Sequence, residues 1–307
     1  MTTFILPSGW EVASLVCKLF LYLGVASIAG GSLCAWQFSE ARRHTLGSNL
    51  VYIVFGALLG FHGVIFNFLI QVGLINNSGI AGMFDWDMAS LLLGTALGDT
   101  TFYRLAGFVL ALITSSLLLR RLNQLTRPPA LGFFRILTSL NLLALLLLAN
   151  SFKLSGHISV FSLTAQVAIM LHTLAFAFWI GCLFPLWQLT RSAELASLQH
   201  AMKRFGDIAV VILSVLVIAG ALMLLQLIRS PNEMITTAYG LSLLSKLILV
   251  GIMFCVAAAN KLILVPRIIE QGGIVRLRTS IRYEMILASL ILVLTSYLST
   301  LIGPPGH

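Results

Sequence analysis

Buried histidines are the residues of this chain best suited to do chemistry. His172 lies inside an apolar stretch that runs from Val167 to Gly181. A titratable ring so far from water is costly, so a partner or a function is expected for it. Trp179 follows about two helical turns later, which puts both side chains on one helix face. Because neutral imidazole is a good ligand for copper and zinc, we predict that His172 is a metal ligand.

Two further histidines are candidate metal ligands. His157 precedes His172 by fifteen residues. This is about 22 Å along a straight helix, so the two cannot share one ion but could mark an outer and an inner site on one path. His62 lies at a comparable depth in another apolar segment and could meet His172 inside a bundle. The structural alternatives are a polar cap at the membrane interface for His157 and interhelical hydrogen bonds for His62 and His172.

Lys246 also lies inside an apolar segment, about two turns from its outer end. An ammonium group repels a metal cation, so Lys246 fits an anionic ligand, such as a haem propionate, better than it fits a copper path. The alternative is that its side chain extends to the outer lipid headgroups. The four cysteines, Cys17, Cys34, Cys182 and Cys255, form no Cys-x-x-Cys pair. We expect them to behave as small hydrophobic residues, and the alternative is that they are thiolate metal ligands.

Composition defines the class of protein in which these residues act. Of 307 residues, 59% are hydrophobic and 9% are charged, and the mean hydropathy is +1.00. Water-soluble domains carry roughly 25% charged residues, which excludes that class. The apolar segments do not alternate as the strands of a transmembrane barrel would. The chain is therefore predicted to be an all-α, polytopic transmembrane bundle in contact with membrane lipid.

Eight segments are long enough to span a bilayer, at about 20 residues each. They fall at approximately 12–37, 49–75, 103–121, 133–150, 158–188, 207–228, 239–265 and 283–302. Fourteen of the 19 Lys and Arg residues lie in the loops that follow the odd-numbered segments. The positive-inside rule makes these loops cytoplasmic and both termini periplasmic. The formal charge of +9 is thus explained without a nucleic-acid partner, and no oligomeric state is assigned.

The longest outer loop, 76–101, carries acidic side chains, among them Asp85 and Asp87. They could attract a metal cation, although a solvated loop is the favoured interpretation. The apolar end of the loop, from Met88 to Leu97, predicts a short helix lying on the outer membrane surface.

Internal similarity suggests a duplication within a single membrane domain, 1–307. The halves would be about 1–150 and 151–307, with four helices each in the same orientation. The similarity rests on Trp36-Gln37 with Trp187-Gln188, and on Gly98-x5-Arg104 with Gly240-x5-Lys246.

A series of short motifs resembles the CopD family of copper-resistance membrane proteins. The motifs are Ser155-Gly-His157, His172-x6-Trp179-Ile-Gly181-x-Leu-x-Pro185-Leu, Ala219-Gly220-Ala221, Tyr239-Gly240-x5-Lys246, Asn260-Lys261-x-Ile-Leu-Val-Pro266-Arg267, Arg282-Tyr-Glu284-x-Ile-Leu-Ala and Gly303-Pro304-Pro305, with Thr95-x-x-Gly98-x5-Arg104 in the first half. Their order and spacing hold over most of the chain and are strongest over 155–307.

The resemblance implies an inner-membrane protein that moves copper from the periplasm to the cytoplasm, in copper homeostasis or resistance. It also implies a periplasmic, CopC-like copper-binding partner. His157 and His172 would then be the copper ligands, and the protein would be a transporter rather than an enzyme.

Two alternatives stay open. His172-x6-Trp179 followed by Lys246 also resembles a distant family of haem-binding, protoporphyrinogen-oxidising membrane proteins, in which the equivalent His and Lys belong to the haem site. That resemblance implies a redox protein with haem b. The other alternative is a membrane scaffold that docks a periplasmic copper-binding protein, for which the outer loop matters and the buried histidines do not.

Overall fold

The computed structural model describes residues 7–40, 42–154, 162–227 and 232–301. All regular structure in these ranges is helical, with a 3₁₀ turn at Ile80–Phe84 and a π-helical turn at Asn260–Leu264. The α-helices are α1 (Gly9–Gln37), α2 (Arg43–Asn76), α3 (Trp86–Leu93), α4 (Ala96–Gln124), α5 (Leu131–Lys153), α6 (Leu163–Ser192), α7 (Leu195–Leu227), α8 (Glu233–Thr236), α9 (Ala238–Ala259) and α10 (Gly273–Leu301).

Eight of the helices are long and apolar enough to cross a membrane, namely all except the short α3 and α8. The predicted all-α bundle of about eight membrane helices is therefore confirmed. Two helices begin well before the apolar segments that predicted them, α7 at Leu195 instead of near 207 and α10 at Gly273 instead of near 283. In these added turns only one face is buried, as Leu198 and Leu277 show. A hydropathy average misses such amphipathic turns.

Two glycines let α1 and α6 approach each other closely. A Cβ atom on Gly30 would lie 1.9 Å from the carbonyl carbon of Gly181, and one on Gly181 would lie 1.9 Å from the carbonyl oxygen of Ala26. Close backbone approach increases van der Waals contact, which drives helix association in lipid. This contact joins the first four membrane helices to the last four.

The contact between α2 and α4 is filled by one aromatic ring. Phe108 of α4 is fully buried, and a Cβ atom on Gly60 of α2 would lie 2.3 Å from its ring. A polar contact ties α5 to α1 beside it, since the Asn141 amide donates to the Ser32 hydroxyl at 3.0 Å. The first four membrane helices thus form a close-packed unit.

The outer loop between α2 and α4 is built around Asp85. Its carboxylate accepts the backbone N–H of Met88 at 3.0 Å, which caps α3, and the side-chain amide of Asn76 at 2.8 Å. The Met88 N–H lowers the pKa of Asp85 because hydrogen bonds stabilise the charged form. A short helix is present in the predicted region, but it covers Trp86–Leu93 and ends at Gly94. The Asp85 carboxylate is thus already engaged in organising the loop.

Candidate functional site

His172 is held between α6 and α7. Its Nδ1 atom lies 3.1 Å from the backbone carbonyl oxygen of Leu216. A carbonyl can only accept, so Nδ1 carries the hydrogen and Nε2 keeps its lone pair. Gly220 provides the space for the ring, because a Cβ atom there would lie 3.1 Å from Cε1 of His172. The imidazole is therefore oriented with one nitrogen available to a ligand.

Lys246 of α9 lies close enough to His172 for its charge to act on the imidazole. Both side chains are half-buried. No carboxylate forms an ion pair with Lys246 among the described residues. The structure therefore brings together the two residues that the haem alternative requires, and it places an unpaired cation beside the candidate copper ligand.

The other two candidate histidines are not joined to this pair. The His62 side chain is exposed on the outside of α2, and its Nδ1 atom lies 2.8 Å from the carbonyl oxygen of Leu58 in the same helix. His62 and His172 thus have separate partners on separate helices. His157 lies outside the described residues. Over the described ranges, no group of three or more His, Cys, Asp or Glu side chains could hold a metal ion.

Trp179 lies two turns below His172 on the same face of α6. The indole is 2% exposed, and its ring centroid is 5.4 Å from that of Phe254 on α9. These two rings form an apolar partition between the His172–Lys246 pair and the space further along the helices.

A cavity of about 330 Å³ lies beyond this partition, between α6, α7, α9 and α10. Since one water occupies about 30 Å³ in the liquid, the cavity has room for several waters or a hydrated ion. Most of its wall is apolar. Its polar lining comes from Asn260, Lys261 and Glu284.

Glu284 is the buried acid of this cavity. It is only 4% exposed, on α10, and Asn260 lies within hydrogen-bonding reach of its carboxyl group. The Oδ1 atom of Asn260 is buried and has no hydrogen-bond partner among the described residues. Asn260 opens the π-helical turn, and single π turns occur frequently at functional sites. A carboxyl group and a buried amide oxygen without a hydrogen-bond partner therefore belong to two residues that line this space.

Lys261 also lines the cavity. Its ammonium group donates to Asp207 Oδ1 and to the carbonyl oxygen of Gly206, each at 2.9 Å. This pair ties α7 to the π-helical turn at the end where both helices approach the basic loops.

Glu284 and Asn260 were not among the site residues predicted from the sequence. Both were quoted only as parts of family-like motifs. The signal for Glu284 was available, because an acidic residue at the start of a membrane helix is a functional candidate by default. The contact between Asn260 and Glu284 could not be predicted from the sequence, since it depends on how α9 and α10 pack.

Eight long apolar helices, a buried acid, a half-buried histidine and a mostly apolar cavity with three polar side chains define a multi-pass membrane protein with internal polar groups. Residues 199–298 match the family model CopD, Copper resistance protein D. A protein named Copper resistance protein D, from Pseudomonas syringae pv. tomato, is 30% identical over 148 residues, or 44% of this chain and 48% of that relative. The two matches support assignment of the chain to the CopD family.

The extent of these matches bears on the site. The chain matches about half the length of the Pseudomonas relative. The family model covers α7 to α10, and therefore Lys246, Asn260 and Glu284, but not His172. No solved structure matches the chain.

Proposed function

We propose that this protein acts in copper resistance or homeostasis by moving copper across the bacterial inner membrane, from the periplasm to the cytoplasm. The observation that carries the proposal is the order of polar groups between α6, α7, α9 and α10. His172 comes first, the Trp179–Phe254 partition second, and the Glu284–Asn260 cavity third. The names of the matching family and relative support copper as the substrate.

The direction of transport depends on the orientation of the chain. With the basic loops in the cytoplasm and both termini in the periplasm, His172 lies in the outer half of the membrane and Glu284 in the inner half. Copper would reach the Nε2 atom of His172 first, because imidazole suits copper ions. The carboxyl group of Glu284 would then offer a hard oxygen ligand and a counter-charge on the cytoplasmic side.

Lys246 fits this scheme as an electrostatic barrier. An ammonium group near His172 raises the energy of any cation beside the imidazole. An ion would therefore stay there only while Lys246 is displaced or neutral. This makes His172 a transit site rather than a storage site.

A periplasmic, CopC-like donor is the partner proposed for the outer side. The loop before α4 presents Trp86 and Phe84, which are 77% and 59% exposed. Exposed aromatic side chains suit either the membrane interface or a protein surface. Copper transfer from such a donor should weaken when both rings are removed together, and transfer at the wild-type rate would contradict this partner site.

Copper accumulation in cells that express the chain tests the proposal. His172→Ala should reduce accumulation to the level of cells without the protein, while the variant remains inserted in the membrane. His62→Ala is the matched control, because it removes an imidazole whose ring bonds only its own helix, and it should accumulate copper normally. Unchanged accumulation with His172→Ala would refute the role of His172.

Haem b binding is the second candidate function, and the proximity of His172 and Lys246 favours it. Nε2 of His172 could be an axial ligand, and Lys246 could pair with a propionate; the haem would supply one-electron redox chemistry. An absorption spectrum of the purified protein decides this. A Soret band that is lost in His172→Ala would support haem, whereas copper bound through His172 without a Soret band would exclude it.

A further inference from the structure

Two cysteines meet at the contact between α1 and α6. Cys34 is 2% exposed and Cys182 is fully buried, and both are free thiols. The Sγ atom of Cys182 lies 3.8 Å from the carbonyl oxygen of Gly30. Gly30 is one turn before Cys34 on the same face of α1. The two thiols therefore lie on facing turns of α1 and α6, close enough for the charge of one to act on the other.

The backbone holds these thiols in place. Cys182 directly follows Gly181, whose contact with Gly30 is the closest approach of α1 and α6. The phenol of Tyr52, from α2, lies near both sulfur atoms, and its ring centroid is 5.2 Å from that of Phe184. Residues of three helices therefore surround the pair and limit how far either side chain can move.

We propose that Cys34 and Cys182 form a two-coordinate thiolate site for a soft monovalent cation, Cu(I). Soft thiolate ligands select Cu(I) over hard cations. On binding, two S–H bonds break, two Cu–S bonds form and two protons pass to solvent, with no change in the oxidation state of copper or sulfur. The complex carries one negative charge, which the Tyr52 hydroxyl can offset by donating a hydrogen bond to sulfur.

This thiolate site is distinct from the path proposed above. Cys182 lies ten residues beyond His172 on α6, about 15 Å along the helix. It is adjacent to Leu183, which lines the cavity, so the pair lies behind the cavity wall and not in it. The choice of Cu(I) as the cation rests on the proposed copper function, but the binding itself does not require transport.

Anaerobic titration of the reduced, detergent-purified protein with Cu(I), against a chromophoric Cu(I) chelator, tests the site. The wild type should retain one Cu(I) against the chelator, and Cys34→Ser and Cys182→Ser should each lose it. Cys17→Ser and Cys255→Ser are matched controls, one buried and one exposed, and both should retain the ion. Retention by all four variants would overturn the proposal.

X-ray absorption of the Cu(I)-loaded wild type needs no variant and covers the case in which a substitution prevents folding. Two sulfur ligands are expected, and coordination by nitrogen or oxygen alone would overturn the site. His172→Ala should bind this Cu(I) normally. Failure of the thiolate site is therefore separable from failure of copper accumulation, which depends on His172.

Discussion

The middle helices of the two halves of the bundle are buried to different extents, and the cavity that Glu284 lines lies in the less buried, looser half. In the apolar window of each helix, 44% of residues are buried in α2 and 33% in α4, against 17% in α7 and 11% in α9, whereas α5 and α10 are equal at 33%. In the first half Phe108 fills the contact between α2 and α4. In the second half, the cavity with Glu284 occupies the corresponding space between α7 and α9. Close packing excludes an ion, so a transport path needs the looser arrangement.

We propose that the halves, about 1–150 and 151–307, are repeats of one four-helix unit. Gly30 precedes Trp36 by six residues, as Gly181 precedes Trp187, and the two glycines are in contact. Within the first half α1 contacts α2 and α5, and within the second α6 contacts α7 and α10. Parallel repeats of this kind are known in transporters. The halves expressed as separate chains should copurify, and failure to do so would count against the proposal.

The largest loss of stability is expected from a substitution at the close contact between α1 and α6. Gly181→Ala places a methyl group against the backbone of α1, which has no flexible side chain to move aside. The variant should lose about 3 kcal/mol of stability, the upper range for overpacking. Its unfolding midpoint in detergent measures the loss. Gly251→Ala in α9 is the control, since nothing lies within 4 Å of the new Cβ atom, and a drop of equal size there would remove the contrast between halves.

Substitution of Glu284 is expected to lower stability less than Gly181→Ala does, but to lower copper transport strongly. Glu284→Ala removes the only acid that lines the described cavity. It should lower copper accumulation about tenfold, since removing one partner of a buried hydrogen bond costs about 1 to 3 kcal/mol and a tenfold change corresponds to about 1.4 kcal/mol. Glu284→Gln keeps a hydrogen-bonding partner for Asn260 and tests whether charge is required. Glu194→Ala is the control, because the Glu194 side chain is 83% exposed. If both Glu284 variants accumulate as much copper as Glu194→Ala does, the cavity is not on the copper path.

The smallest effect is expected in the outer loop, which packs on a small apolar cluster of its own and not on the main core. Asp85→Ala removes the cap of α3 and should speed hydrogen exchange at the Met88 amide. Because the folded pKa of Asp85 lies below its ordinary value, its stabilising effect is present at neutral pH. That effect fades as the pH falls below about 4 and through the folded pKa. Wild type and variant should therefore converge in acid. Asp87→Ala is the control, and equal exchange in both variants at neutral pH would contradict the capping role.

The membrane is the reason that part of the structure could be predicted from the sequence. A bilayer fixes the length and polarity of each spanning helix, so the eight helices could be found from hydropathy. The amphipathic first turns of α7 and α10 could not. His172 was identified because a buried imidazole is costly wherever it lies. The proximity of Cys34 to Cys182, and of Asn260 to Glu284, depends on tertiary contacts between distant helices that a single sequence does not display.

Copper uptake into proteoliposomes that contain only the purified protein tests the central claim most directly. Vesicles with the wild type and with His62→Ala should accumulate copper, vesicles with His172→Ala should not exceed protein-free vesicles, and vesicles with Glu284→Ala should take up about a tenth of the wild-type amount. Uptake by His172→Ala at the wild-type rate, or no uptake by any of the proteins, would contradict a copper path through the looser half of the bundle.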